Sequence, residues 1–62
     1  MNYQKLVKAI REKMILSQDE LARLLHVSFS TVNRWETGKF NPTMKMKKKL
    51  HNLFLKAGIL EE

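Results

Sequence analysis

Apolar side chains recur at intervals of three and four residues along most of the chain, a spacing that places them on one face of an α-helix. In residues 2–14 this apolar stripe consists of Tyr3, Leu6, Val7, Ile10 and Met14. Neither the alternation that is typical of a β-strand nor an internal repeat occurs in the sequence. The pattern therefore predicts an all-α fold whose first helix covers residues 2–14.

A second, shorter helix begins after Ser17. The Ser17 hydroxyl can accept a hydrogen bond from the Glu20 amide while the Glu20 carboxylate accepts from the Ser17 amide, which is the reciprocal capping box. The helix ends after about two turns at residues 26–27. The residues expected on its packed face are Leu21, Ala22, Leu24 and Leu25.

A third helix is predicted over residues 29–36. Ser28 suits its N-terminal cap, and Val32 and Trp35 lie three residues apart on its inner face. Gly38 follows as a left-handed stop.

A fourth helix is predicted from about residue 43 to residue 57, followed by Gly58 as its stop. Asn41 is expected to cap this helix and Pro42 to occupy its first position. The residues expected to point inward are Met46, Leu50, Leu53, Phe54 and Ala57.

The two short central helices, predicted for residues 18–25 and 29–36, are expected to be stable only when they pack against each other. An isolated two-turn helix is unstable in water because nucleation is costly. We expect the pair to pack crosswise and to leave its second helix projecting from the domain. This arrangement is the helix-turn-helix, whose second helix enters the DNA major groove.

Composition narrows the choice of partner. The 62 residues form one domain with a net charge of +6, and residues 1–60 carry +8 because Glu61 and Glu62 are acidic. Such a surplus favours a polyanionic partner, nucleic acid above all, although it also serves solubility alone. No cysteine is present, and neither a membrane span nor a signal peptide is visible. We expect a soluble, cytoplasmic protein that is complete from Met1 to Glu62.

From Leu16 to Pro42 the chain resembles the phage repressor and Cro-type helix-turn-helix family of transcriptional regulators. The residues that carry the resemblance are Gln18, Leu21, Ala22, Leu25, Val27, Ser28, Thr31, Val32, Arg34, Trp35, Glu36, Gly38, Lys39, Asn41 and Pro42. The resemblance implies a lambda-repressor-like bundle over residues 1–62, with the motif at 17–38, that binds double-stranded DNA as a homodimer. From the residues themselves we expect no cofactor, no metal, no small-molecule ligand and no membrane partner.

The chain departs from this family at two places. His26 stands where glycine is usual, and we interpret it as a turn residue with positive φ, which histidine tolerates better than most side chains. The family commonly has a fifth helix, for which only residues 59–62 remain. That helix is therefore missing or reduced to one turn, and Leu55, Ile59 and Leu60 either form a dimer contact or close the core.

Base-contacting residues are expected on the outward face of the third helix: Phe29, Ser30, Asn33 and Arg34. Arg34 can donate two hydrogen bonds to guanine, Asn33 can pair with adenine or contact phosphate, and Phe29 suits a thymine methyl. Each has an alternative: Phe29 as a core residue, Asn33 and Arg34 as solvated residues. Trp35 is expected in the core rather than as a stacking platform.

Phosphate-contacting residues are expected at both edges of the motif. By resemblance and chemistry they are Ser17, Gln18, Thr37, Lys39, Asn41 and Lys45. Ser17 and Gln18 stand at a helix start, where amides and dipole favour an anion. Lys45 belongs to a lysine run with Lys47, Lys48 and Lys49, of which about two are expected to touch DNA while the others set the long-range field or are simply solvated.

The resemblance also implies a structural ion pair between Arg11 and Glu36, which would join the first helix to the end of the third. In that case Glu36 is not a ligand for DNA but the residue that holds Arg11.

Other function classes are weaker. A protein-binding adaptor that reuses the helix-turn-helix fold is the main alternative, and a DNA-targeting module of a larger system is another. A basic amphipathic helix at residues 43–57 could serve a membrane or a calmodulin-like groove, but its apolar face is needed for the core. An enzyme is not expected, because His26 and His51 lack metal-ligand spacing and no phosphate loop is present.

Overall fold

Four α-helices make up the computed structural model, which describes residues 2–60. They are α1 (Tyr3–Lys13), α2 (Gln18–Leu25), α3 (Phe29–Glu36) and α4 (Met44–Lys56). The predicted all-α fold is confirmed, and each predicted helix agrees with the structure within one residue at either end. In this part of the chain there is no strand, and no helix is long and apolar enough to cross a bilayer.

The first turns of α2 and α3 are held by the caps that the sequence predicts. The Glu20 amide donates to the Ser17 hydroxyl at 3.0 Å, and the Ser17 amide donates to the Glu20 carboxylate at 2.9 Å. The hydrogen bond from the Ser17 backbone amide, followed by the influence of the Ser17 side chain, lowers the pKa of Glu20 below its ordinary value because both stabilise the charged carboxylate. At α3 the Ser28 hydroxyl accepts from the Thr31 amide at 3.1 Å.

The predicted N-terminal cap of α4 is wrong by two residues. Thr43, not Asn41, is the N-terminal cap, because its backbone is extended and its hydroxyl accepts from the Met46 amide at 3.4 Å. Pro42 is not the first helical residue but lies buried in the connection between α3 and α4. Asn41 therefore keeps an exposed side chain that no cap requires.

Each of the four helices is followed, one or two positions after its last residue, by a residue in the left-handed region. These residues are Ile15 (φ 57°), His26 (φ 59°), Gly38 (φ 76°) and Gly58 (φ 74°). In α1, for example, the amide after the left-handed residue, that of Leu16, donates back to the Arg11 carbonyl at 2.8 Å. The positive φ predicted for His26 is confirmed, whereas the one at Ile15 was not anticipated.

The core lies between the helices, where α3 packs against α1 and α2 and where α4 packs against α1. Its buried residues are Val7, Ile10, Leu21, Ala22, Leu25, Val32, Trp35, Leu50 and Phe54. The prediction was wrong for Leu24 and Met14, which are 49% and 38% exposed. Both lie at the edge of their helix's apolar stripe. Neighbouring helices cover only the middle of that stripe, so its edge stays in contact with water.

The C-terminal segment after α4 closes the core. The Ile59 amide donates to the Phe54 carbonyl at 2.9 Å, and Ile59 and Leu60 pack against the buried residues. Residues 57–60 form no fifth helix. Glu61 and Glu62, which the predicted terminal turn includes, lie outside the described residues.

Candidate nucleic-acid interface

The third helix, α3, presents two chemically different sides. On its inner side Val32 and Trp35 are 0% and 4% exposed. On its outer side, defined here by Phe29, Ser30, Asn33, Arg34 and Thr37, the side chains occupy an arc of about 140° at 100° per residue. Except for the half-buried Asn33, these outer residues are exposed.

Phe29 belongs to this outer side rather than to the core. Half of its surface, 50%, is exposed. It stands at the first position of α3, directly after the Ser28 cap, where the chain leaves the turn. An apolar ring is therefore held at the leading end of the helix beside the Ser30 hydroxyl, a combination suited to a methyl group and a polar base edge.

An ion pair fixes the C-terminal end of α3. The Arg11 Nε and Nη2 atoms donate to the two Glu36 carboxylate oxygens at 2.8 and 2.9 Å, a two-pronged geometry that is stronger than a single contact. The Glu36 side chain is only 5% exposed and that of Arg11 20%. The hydrogen bond to Glu36 is the main reason why the pKa of Arg11 is raised above its ordinary value.

This pair is part of a larger polar network. The Gln18 Nε2 atom donates to the Glu36 carboxylate at 3.2 Å, and the Asn33 amide donates to the Gln18 Oε1 atom at 3.3 Å. Arg11 also donates through Nη1 to the Leu16 carbonyl at 3.2 Å. Side chains of α1, α2 and α3 are thus joined through one carboxylate, which fixes the direction in which α3 points.

The network gives Gln18 and Asn33 a shared position that the sequence alone did not reveal. Gln18 begins α2 but its side chain lies beside the C-terminal half of α3. Asn33 is the only member of the predicted base-contacting set, Phe29, Ser30, Asn33 and Arg34, whose side chain is engaged in a hydrogen bond to another helix in residues 2–60. No local pattern could have found this contact, since the two residues are 15 apart in the chain.

Arg34 stands at the other margin of the outer side and has an aromatic neighbour. Its guanidinium carbon lies 5.4 Å from the centre of the Phe40 ring. The Phe40 ring is 59% exposed and forms one wall of an open groove of about 260 Å³. The other residues that line this groove are Thr31, Arg34, Trp35, Asn41, Thr43 and Met46.

Sequence analysis missed Phe40. The available signal was an aromatic residue in an otherwise polar connection between the Gly38 stop and Asn41, where no helical stripe needs it.

The predicted phosphate-contacting residues frame α3 at the surface. Ser17, Thr37, Lys39, Asn41 and Lys45 are exposed, and Gln18 is half-buried. The Thr37 hydroxyl donates to the Arg34 carbonyl at 3.3 Å, and the Lys39 amide donates to the same oxygen at 3.0 Å. The turn that carries Thr37 and Lys39 is therefore fastened to the end of α3.

Charge is distributed unevenly around this surface. From residue 28 to residue 45 the sequence has three cationic side chains, Arg34, Lys39 and Lys45, and one acid, Glu36. Because the Glu36 carboxylate is bound to Arg11, it contributes little negative potential to the exposed side. The outer side of α3 and the turn after it therefore present positive charge, as a partner with a phosphate backbone requires.

The lysines at the start of α4 differ in their exposure to solvent. Lys45, Lys48 and Lys49 are exposed, whereas the Lys47 ammonium lies 5.4 Å from the centre of the Tyr3 ring and is half-buried. Lys47 thus contributes to the packing of α4 on α1.

Comparison with known proteins agrees with this geometry. A family model described as helix-turn-helix matches residues 7–54, which is most of the chain and includes all of α2 and α3. No curated protein and no solved structure matches the chain.

Proposed function

The chain belongs to the Cro/C1-type helix-turn-helix family of DNA-binding regulators, and we propose that it recognises a specific sequence in double-stranded DNA by inserting α3 into the major groove. The single observation that carries this proposal is the outer side of α3. Exposed side chains with base-reading chemistry stand there on a short helix whose opposite side is buried. A major groove about 12 Å wide admits such a helix.

Arg34 is the residue that carries most of the sequence specificity. Its exposed guanidinium can donate to guanine O6 and N7 at once, which discriminates against other bases by about 1–3 kcal/mol. Phe29 contacts a thymine methyl, and Ser30 donates to or accepts from a base without much selectivity. The exposure of all three side chains supports these roles.

Asn33 reads a base or orients Gln18, and the two roles are linked. Its amide already donates to Gln18, so an Asn33 that turns towards an adenine leaves Gln18 with only its bond to Glu36. Gln18 in turn can donate the second N–H of its Nε2 atom to a phosphate while the first N–H is held by Glu36. This pair therefore couples base contact on α3 to backbone contact at the start of α2.

Phosphate contacts fix the register of the helix in the groove. We assign them to Ser17, Gln18, Thr37, Lys39, Asn41 and Lys45. Each neutralised phosphate releases condensed counterions, so the logarithm of the affinity should fall with the logarithm of salt concentration by about 0.9 per contact. A steep salt dependence is the expected behaviour of this surface.

A homodimer on DNA completes the proposal. One copy of α3 reads about half of an operator, and two copies related by a twofold axis read an inverted repeat whose half-sites lie about 34–36 Å apart. Leu55 is half-buried at the end of α4 and is the residue through which we expect the copies to meet. Ile59 and Leu60 are less suited because they pack against the core.

Selection of bound duplexes from a random pool, at stated salt, tests this function. Wild-type protein should enrich an inverted repeat, and Arg34→Ala should lose the preference at one base pair of each half-site. Lys56→Ala is the matched control, because it removes one exposed positive charge at the far end of α4. It should weaken binding slightly and equally for all sequences.

Failure of the selection would be informative. No enrichment, or affinity for DNA that neither salt nor Arg34→Ala alters, would reject sequence-specific binding and favour a protein-binding adaptor. Enrichment of a single half-site by a monomer would reject the dimer alone.

A further inference from the structure

We propose that Phe40 is a positioning residue for DNA recognition: its ring holds the Arg34 guanidinium towards the outer side of α3 before DNA arrives. This inference rests on the proposed function, since it concerns the residue to which we assign guanine recognition. Phe40 itself is not part of the helix-turn-helix and lies in the connection between α3 and α4.

The backbone brings the two residues together. Gly38 reverses the chain at the end of α3 with a φ of 76°, so that the Lys39 and Phe40 amides both point back to the Arg34 carbonyl at 3.0 and 3.4 Å. These two hydrogen bonds hold the backbone of Phe40 close to Arg34 and so place the Phe40 ring beside the Arg34 side chain. The 5.4 Å between the guanidinium carbon and the ring centre lies within the range of a cation–π contact.

Exposure indicates that this ring does not serve the core. Phe40 is 59% exposed, although apolar Pro42 two residues later is buried and Trp35 beside it is 4% exposed. A phenyl ring with more than half of its surface in water contributes little to folding. Its one defined polar relationship within residues 2–60 is with Arg34.

Preorganisation is the physical benefit of this contact. A free arginine side chain samples many rotamers, and fixing them on binding lowers the affinity. A guanidinium that stacks on a ring keeps its planar N–H donors free for a base edge, because the ring occupies only its face. An exposed contact of this kind is worth about two- to fivefold in affinity for each bound chain, and more when DNA excludes water from it.

A double-mutant cycle on the selected operator tests the proposal. Phe40→Leu keeps an apolar side chain and removes the ring, and it should weaken specific binding about two- to fivefold in the wild-type background. In the Arg34→Ala background the same substitution should have no effect, because nothing remains to be positioned. Phe40→Tyr should retain wild-type affinity, since it keeps the ring.

The control uses a second cation–π pair within residues 2–60. Tyr3 and Lys47 make a contact of the same length, 5.4 Å, between α1 and α4. Tyr3→Leu should have the same effect on DNA affinity with Arg34 present or absent. If Phe40→Leu also acts equally in both backgrounds, Phe40 contacts DNA directly or acts through folding, and the positioning role is wrong.

The outcomes separate this inference from the proposed function. If Arg34→Ala leaves the base preference unchanged, the assignment of guanine recognition fails and positioning fails with it. If Arg34→Ala abolishes the preference but the cycle shows no coupling, only the role of Phe40 fails.

Nuclear magnetic resonance of the free protein gives a readout that does not need DNA. Protons of the Arg34 side chain should be shifted upfield by the Phe40 ring, and Phe40→Leu should move them to random-coil positions while backbone amides elsewhere stay in place. Unshifted Arg34 protons in the wild-type protein would overturn the contact.

Discussion

The inner and outer sides of α3 belong to the same eight residues but obey different physical requirements. On the inner side Val32, Trp35 and the Glu36 carboxylate are almost completely withdrawn from water. On the outer side Phe29, Ser30 and Arg34 are exposed. One side determines whether the helix exists and where it points, and the other is available to a partner.

The difference teaches that stability and recognition are separable in this small domain. A 62-residue chain is expected to have a free energy of unfolding of about 3–9 kcal/mol. An inner substitution can remove much of that amount, whereas an outer substitution leaves the fold intact and changes only what it binds. Substitutions on the two sides of α3 should therefore differ in their effects on the free energy of unfolding and on DNA affinity.

The largest effect is expected from Trp35→Ala compared with Phe29→Ala. Removal of the buried Trp35 ring should lower the free energy of unfolding by about 3–5 kcal/mol, because it leaves a cavity at the centre of the core. Removal of the half-exposed Phe29 ring should lower it by less than about 1 kcal/mol. Denaturant titration of both variants measures this, and similar losses would show that α3 has no distinct outer side.

The next largest effect is expected from Glu36→Ala. It leaves the Arg11 guanidinium, whose side chain is only 20% exposed, without its carboxylate partner and should cost about 2–4 kcal/mol of stability. DNA binding should weaken as well, since α3 and Gln18 lose the carboxylate that orients them. Asp19→Asn is the matched control, because its ion pair with Arg23 is 52% and 79% exposed, and it should cost at most about 0.5 kcal/mol.

Unchanged stability of Glu36→Ala in the denaturant titration would show that the network is not what holds α3. Arg34→Ala completes the set from the outer side. Its stability should stay within about 0.5 kcal/mol of the wild type while its specific affinity falls.

A smaller effect of opposite sign is expected from Ile15→Gly. Ile15 holds a β-branched side chain at a φ of 57° and is 88% exposed. Glycine relieves this conformation, and the gain should be about 0.5–1 kcal/mol after the extra freedom of the unfolded chain is subtracted. Differential scanning calorimetry should show a higher Tm, with DNA affinity unchanged because Ile15 is not among the residues assigned to DNA contact.

His26→Gly sharpens this result. His26 has the same φ within two degrees, but histidine tolerates the left-handed region better than isoleucine does. The gain should therefore be smaller. A larger gain at His26 than at Ile15 would contradict the strain argument.

The smallest effect is expected on the pH dependence of stability, through the Glu20 carboxylate that caps α2. The pKa of Glu20 is lower in the folded chain than in the unfolded one. Its contribution to stability is therefore fully present above the unfolded pKa, near 4.3, and is lost as the pH falls through the folded pKa. In urea titrations from pH 6 to pH 3, the free energy of unfolding should fall less for Glu20→Gln than for the wild type. An equal fall in the two proteins would show that the cap contributes nothing measurable.

Much of the site's framework follows from local pattern. The Ser17 and Ser28 caps and the inward Val32 and Trp35 depend on residues within about one helical turn, where sequence and geometry are closely linked, whereas the left-handed His26 was inferred from the family resemblance. The exposed Phe29, Ser30 and Arg34 follow from the same periodicity, as the face opposite the apolar one. The Arg11–Glu36 pair lies beyond such reasoning and was implied only by family resemblance.

Tertiary packing decided the rest. Gln18 and Glu36 are 18 residues apart and Arg11 and Glu36 are 25 apart, so that their contacts exist only once three helices have assembled.

The pattern along the chain predicted four helices, their bounds to within one residue and most of the faces they turn to water, because hydrogen bonds within a turn and the burial of an apolar stripe are local or additive effects. Only the tertiary structure decided that Thr43 and not Asn41 caps α4, that Leu24 stays in solvent and that Phe40 lies against Arg34. Those outcomes depend on which surfaces meet at close range, and that is settled by the packing of the whole chain.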